Sequence, residues 1–235
     1  MVLARRQLRQ NATVAEPIRI AIVGAESTGK TALAQALALR LAGLTGRRCT
    51  WVGEWLRHWC EREGRTPRPD EQLAIAVHQH ALIDAAAASH DVVVCDTTAL
   101  MTAVYSDLLF DDRSLDAYAV AQQRRCQLTL LTALDIAWVP DGLQRDGPQV
   151  REPVDNRVRT LLIGHQLPWA LVGGQGAARL DAAVDAAAPL LRASTAPGSG
   201  LFTRLAERDA AASAWRWLCN DCDVPDCEHQ LLKRG

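Results

Sequence analysis

Ile18-Arg19-Ile20-Ala21-Ile22-Val23-Gly24-Ala25-Glu26-Ser27-Thr28-Gly29-Lys30-Thr31 is the stretch that decides the fold. Its second half fits G-x-x-x-x-G-K-[ST], the phosphate-binding P-loop. Ile18 to Val23 is a mostly apolar run of the kind a buried strand presents, and Ala32 to Leu41 carries a helical pattern. Both flanks are needed, because such a loop bends a strand into a helix N-terminus so that successive backbone N–H groups face a phosphate. The composition points the same way. All but two of the 26 basic residues are arginine, and the exceptions are Lys30 and Lys233. Lysine stands at the one position where a compact, flexible ammonium must reach the β- and γ-phosphates. The stretch predicts a nucleoside triphosphate site built from Gly24, Ala25, Glu26, Ser27, Thr28, Gly29, Lys30 and Thr31.

Outward from the loop, strand and helix patterns alternate. A strand at Cys49 to Val52 is followed by a helix at Glu54 to Glu63. Pro67 and Pro69 break the chain, and Asp70 is placed to cap a helix from Glu71 to about Ser89. His78 and His80, two apart on that helix, point to different faces and are read as ordinary helix residues, with His78 the one that could face the site. Asp91-Val92-Val93-Val94-Cys95-Asp96 reads as a central parallel strand buried on both faces. Ser114 to Cys126 reads as a helix and Leu128 to Leu134 as a strand. Pro153 to Gln166 can form a helix, Trp169 to Val172 a last strand, and Arg179 to Leu191 a closing helix. β/α alternation around one P-loop implies a three-layer α/β/α sandwich on a parallel sheet, with a small C-terminal helix and tail appended.

The expected organisation is a flexible basic arm over 1–17, a P-loop domain over 18–192, a linker over 193–200 and a helix plus cysteine-rich tail over 201–235. The chain is 235 residues long, with a formal net charge of −1. That near-neutrality gives no bulk attraction to nucleic acid or membrane. No apolar run reaches the ~20 residues of a membrane-spanning helix or forms a signal peptide. Seven cysteines, an odd number, argue against a disulfide framework. The expected setting is a reducing, cytoplasmic one.

Two further segments carry chemistry. Asp96 ends its strand, and ligands of parallel α/β sheets bind at the carboxyl ends of strands. A carboxylate there can hold Mg²⁺, usually through water, or take a proton from an attacking hydroxyl; sequence does not separate these roles. The loop Trp138 to Arg151 holds Arg145 and Arg151, suited to closing over a nucleotide and placing guanidinium groups on a transferring phosphoryl group. Motor-type ATPases commonly carry a second carboxylate after the Walker B aspartate to polarise water. Here Thr97 follows Asp96, which shifts the balance from hydrolysis to transfer. In the tail, Cys219, Cys222, Cys227 and His229 supply a full Cys₃His set for structural zinc. The surrounding acidic residues repel phosphates, so the tail reads as a clamp, a dimer contact or a protein-partner surface.

The P-loop with glutamate two residues after its first glycine resembles the ribosylnicotinamide kinase domain of the NadR family. Three more stretches agree: Gly53-Glu54-Trp55-Leu56-Arg57, Val94-Cys95-Asp96-Thr97, and Trp138-Val139-Pro140-Asp141-Gly142-Leu143. The resemblance spans about Ile18 to Leu191 and excludes the tail. It implies ATP- and Mg²⁺-dependent phosphorylation of the ribose 5′-hydroxyl of nicotinamide riboside. Catalytic roles then fall to Lys30, Asp96, Arg145 and Arg151, with Thr31 and Asp96 serving Mg²⁺. Acceptor contacts fall to Glu54, Trp55, Arg57, Trp138 and Asp141. An anionic Glu54 suits a cationic ring or a ribose diol, and Trp55 or Trp138 could stack on that ring. Where the family has Asp-Gly-Leu-Arg, this chain has Asp-Gly-Leu-Gln144-Arg145, displacing the arginine by one position. With no adenylyltransferase signature or DNA-binding segment apparent, a standalone kinase with an extra module is expected. The alternative is a regulatory ATPase that signals its nucleotide state through the tail.

Overall fold

The computed structural model describes residues 16–139 and 147–193. Five strands form one parallel sheet: β1 (Ile18–Val23), β2 (Cys49–Val52), β3 (Val92–Asp96), β4 (Leu128–Thr132) and β5 (Trp169–Val172), in the order β2-β3-β1-β4-β5. Seven α-helices connect them among the described residues: α1 (Lys30–Thr45), α2 (Trp55–Glu63), α3 (Gln72–Ala87), α4 (Ala99–Phe110), α5 (Asp116–Gln123), α6 (Arg151–Gly164) and α7 (Gly176–Ala193). The fold is the expected parallel α/β one. No described helix is long and apolar enough to cross a membrane.

Side-chain alternation along the strands assigns the two faces. Val93 and Cys95 pack with Ile83 and Ala87 of α3, so Val92, Val94 and Asp96 project to the other face. That second face carries α1, which lies over β2 and β3 and packs against α7. On α1 the buried residues Leu33, Leu37 and Leu41 recur every fourth position, the spacing that brings side chains onto one side of a helix. Each buried leucine is worth about 1.5–3 kcal/mol, and Leu37→Ala would cost about 2–5 kcal/mol. The first face carries α3, α4, α5 and α6, whose core includes Leu100, Val104, Val158 and Leu162.

Several boundaries differ from expectation. α4 is absent from the sequence reading; Ala99 to Val104, Ser106 and Asp107 are all buried, so its apolar residues surround the helix and leave no stripe to detect. Asp70 does not cap α3. A short 3₁₀ turn, Pro69–Glu71, precedes that helix, and Glu71 accepts from the Arg68 N–H at 2.8 Å. A carboxylate three residues on can reach back to the turn's start, whereas Asp70 is exposed. β4 stops at Thr132 rather than Leu134, α6 begins at Arg151 rather than Pro153, and α7 begins at Gly176 rather than Arg179. Residues 1–15 of the predicted arm, nearly all of the linker, the 201–218 helix and the tail lie outside the described residues.

Candidate active site

β1 is the central strand, flanked by β3 and β4; the chain leaves β1 toward β2 on one side and leaves β4 toward β5 on the other. This is a switch point, where open α/β sheets bind ligands. The P-loop follows β1 there. Gly24 opens it at φ 143°, and a Cβ at this position would sit 2.2 Å from Thr132 Oγ1, so β4 approaches too closely for any side chain. Ser27 at φ 56° and Gly29 at φ 73° complete the turn. α1 begins directly after Gly29, with no side-chain cap and no acid in its first turn. Its leading N–H donors are thus oriented for an anion.

Side chains brace the loop internally. Thr28 Oγ1 donates to the Ala25 carbonyl at 2.8 Å and lies 2.7 Å from Thr132 Oγ1. Lys30 Nζ donates to the same Ala25 carbonyl at 2.7 Å, which folds the ammonium over the loop. Ser27 Oγ donates to the Val139 carbonyl at 3.0 Å and accepts the Val139 N–H at 2.9 Å. The start of the predicted Arg-bearing loop is thereby pinned to the P-loop.

Asp96 stands level with Ile22 across the β1–β3 ladder. Its Oδ2 accepts the Thr31 hydroxyl at 2.6 Å. The residue is 1% exposed, and its Oδ1 has no hydrogen-bond partner among the described residues. Burial pushes its carboxyl up to about 6; Glu54 pushes further, while the Thr31 hydroxyl, Lys30 and Arg57 pull back. Those influences bring Glu54, Arg57 and Lys30 into one electrostatic neighbourhood with Asp96. The next residue, Thr97, is held at φ 66°, a strained conformation for a β-branched side chain. A Thr hydroxyl joined to a buried carboxylate oxygen, with the second oxygen unpaired, fits a Mg²⁺ held through one or two protein groups plus phosphates. Among the described residues, no cluster of three or more His, Cys, Asp or Glu side chains could hold a metal.

Glu54 stands at the N-cap position of α2 without a side-chain capping bond, and pairs with Arg57 at 3.5 Å. Gln79 of α3 orders this turn, accepting from the Trp55 N–H at 2.7 Å and donating to the Gly53 carbonyl at 3.2 Å. The Trp55 ring stacks on His78 with centroids 3.9 Å apart, and the Arg62 guanidinium lies 5.7 Å from its centroid. Trp55 therefore already has intramolecular partners. Trp138 is half-buried, with its indole N–H unpaired among the described residues. Arg151 opens α6, 7% exposed; it donates to the Ile136 carbonyl at 2.9 Å, while Nε and one terminal nitrogen are buried and unpaired among the described residues. Glu26 likewise has one buried carboxylate oxygen unpaired among the described residues. Arg145, Asp141 and the zinc set Cys219, Cys222, Cys227 and His229 lie outside the described residues. The four described cysteines, Cys49, Cys60, Cys95 and Cys126, are unbridged.

Sequence reasoning missed Gln79, Thr132, Asp135 and Arg179. None belongs to a recognisable spacing, and only contact across the fold assigns them to the site.

A central parallel strand running into a glycine-hinged phosphate loop, with a buried aspartate on the adjacent strand, defines a P-loop protein. A family model described as AAA domain matches residues 19–179, and the chain belongs to that family. Its fold is that of a NadR-like P-loop kinase domain. The crystal structure of NadR protein in complex with NR matches with a TM-score of 0.60 at 17% identity, covering 78% of this chain and 53% of that one. NadR protein in complex with NAD and AMP-PNP matches with a TM-score of 0.58 at 18% identity, covering 74% of this chain and 49% of that one. The chain thus spans about half the length of those NadR chains. No protein of curated function matches the sequence.

Proposed function

We propose that this chain is an ATP-dependent kinase that transfers the γ-phosphoryl group to the ribose 5′-hydroxyl of nicotinamide riboside or a related nucleoside. The observation that carries this reading is the Thr31–Asp96 pair, joined at 2.6 Å with the second Asp96 oxygen unpaired. The NadR structures in complex with NR and with NAD and AMP-PNP support it as likenesses of fold.

The roles follow from the chemistry. Backbone N–H groups from Glu26 to Thr31 cradle the β-phosphate, and Lys30 leaves the Ala25 carbonyl to bridge to the γ-phosphate. The Thr31 hydroxyl and Asp96, directly or through water, would hold a Mg²⁺, which would supply positive charge beside the phosphates. Asp96 alternatively takes the acceptor proton, for which a carboxyl near pH 6 is well matched. Arg151 has two nitrogens without hydrogen-bond partners among the described residues to meet the transferring group, and the resemblance assigns Arg145 to the same task. Thr97 in place of a second carboxylate leaves water without an activating base. Glu54 and Arg57 face the acceptor, and the family resemblance adds Asp141 to that role. Trp138 is the better stacking surface, because the Trp55 ring is already stacked on His78. The Cys219, Cys222, Cys227, His229 set holds one structural zinc that serves a second copy or a protein partner. At least half an equivalent of zinc on the purified protein is expected, and less counts against it.

The test is ADP production from ATP with nicotinamide riboside, adenosine or uridine as acceptor. Stimulation by nicotinamide riboside above the other two is the expected result. ATP turnover indifferent to every acceptor sinks the kinase reading and favours the regulatory ATPase.

A further inference from the structure

We propose that Arg179 is a positioning residue for the phosphate loop, acting through the Thr28 carbonyl. The inference rests on the nucleotide-binding reading of that loop. Arg179 lies in the first turn of α7, where a cation opposes the positive end of the helix dipole. It is 4% exposed, a depth at which a guanidinium persists only if its donors are met. They are met by parts of three strand ends. Nε donates to the Gly174 carbonyl at 2.8 Å, after β5. One terminal nitrogen donates to the Ala133 carbonyl at 3.3 Å and pairs with the Asp135 carboxylate, both after β4. The other donates to the Thr28 carbonyl inside the P-loop, after β1. Asp135 is itself fixed by the Gly174 N–H at 2.5 Å, which closes a ring of contacts.

The Thr28 contact is the informative one. In a trans peptide the carbonyl and the following N–H point in opposite directions. Drawing the Thr28 carbonyl toward Arg179 turns the Gly29 N–H away from it, at the residue that opens α1. A planar guanidinium with five donors can hold two main-chain loops and a carboxylate together; an ammonium on a flexible stem cannot reproduce that geometry. Arg179 therefore sets the direction of a phosphate-facing donor without touching the phosphate.

The consequence is selective. ADP and ATP use the P-loop amides through the β-phosphate, and AMP does not. Titration calorimetry with ADP and AMP is run on the wild type, Arg179→Met and Asp135→Asn, with thermal unfolding alongside. Arg179→Met is expected to weaken ADP binding about 10- to 100-fold, the loss of one charge-assisted hydrogen bond. AMP affinity should change less than about twofold. Asp135→Asn, which keeps the shape and an acceptor for Arg179, should show the same pattern at smaller size and serves if Arg179→Met does not fold. ADP affinity unchanged in the folded variants, or ADP and AMP weakened equally, overturns the inference while leaving the nucleotide site intact. A wild type that binds neither nucleotide overturns the nucleotide reading and this inference with it.

Discussion

The two flanks of the P-loop differ in how completely their polar groups are spent. On the β4–β5 side, Thr132, Asp135, Gly174 and Arg179 form a closed set in which donors meet acceptors around the Thr28 backbone. Around Asp96 and the opening of α6, Asp96 Oδ1 and two nitrogens of Arg151 stay buried and unpaired among the described residues, as do one oxygen of Glu26 and the indole N–H of Trp138. Most buried polar groups in folded proteins are paired, and those that are not call for an explanation. The contrast separates a half that holds the loop from a half whose groups, in the proposed function, are kept for phosphate, cation and acceptor.

Five experiments can break or sharpen that contrast. Lys30→Ala should lower phosphotransfer about a thousandfold or more, because the ammonium has no substitute. Calorimetry with ATP should show weakened binding alongside, and unchanged affinity would refute the site. Asp96→Asn should reduce kcat about 10²- to 10³-fold. A magnesium titration then separates the roles of this residue. A raised Mg²⁺ requirement marks a metal-shell carboxylate, and an unchanged one marks a base.

Arg151→Met keeps the volume and removes a partly unpaired buried charge. Activity should drop about 10- to 100-fold, with thermal stability held or raised. A large loss of stability would move Arg151 to the holding half. The fourth prediction concerns pH. The folded carboxyl of Asp96 ionises near 6 instead of its ordinary 3.8, so the folded state keeps this proton longer than the unfolded chain. Its contribution is present at low pH and is lost as pH rises from about 4 through 6, on the order of 2–3 kcal/mol. Calorimetric unfolding of wild type against Asp96→Asn isolates this slope. Buried His80, lowered to about 4 by burial, contributes the opposite slope to both proteins and cancels. Mg²⁺–ATP affinity should instead rise over the same window as the carboxylate forms. Smallest in activity is Thr132→Val, expected to cost about 1–2 kcal/mol of stability and to change kcat by less than about threefold.

Legibility tracked the range of the interactions involved. The P-loop, β3 with its terminal Asp96, and most other elements were readable because strand alternation, helix spacing and glycine-dependent turns are written in neighbouring residues. α4 was not, since Ala99–Phe110 is too uniformly apolar to carry a helical stripe. Asp70 was an attractive cap by position, yet Glu71 reached the turn instead, a choice made by side-chain length. Trp55 offered itself as a stacking surface until His78, 23 residues further along, proved to be packed on it.

The sequence by itself determined that a P-loop joins a buried strand to a helix, and it put forward Lys30, Thr31 and Asp96 as the residues proposed for its chemistry. Local backbone geometry and periodic hydrophobicity suffice for that. Only the tertiary structure decided the order β2-β3-β1-β4-β5, which sets Asp96 on one side of the loop and Thr132 on the other. It also decided that Arg179, 151 residues from Thr28 along the chain, holds that loop's carbonyl. Such pairings depend on which surfaces bury together, and no short window of sequence records that.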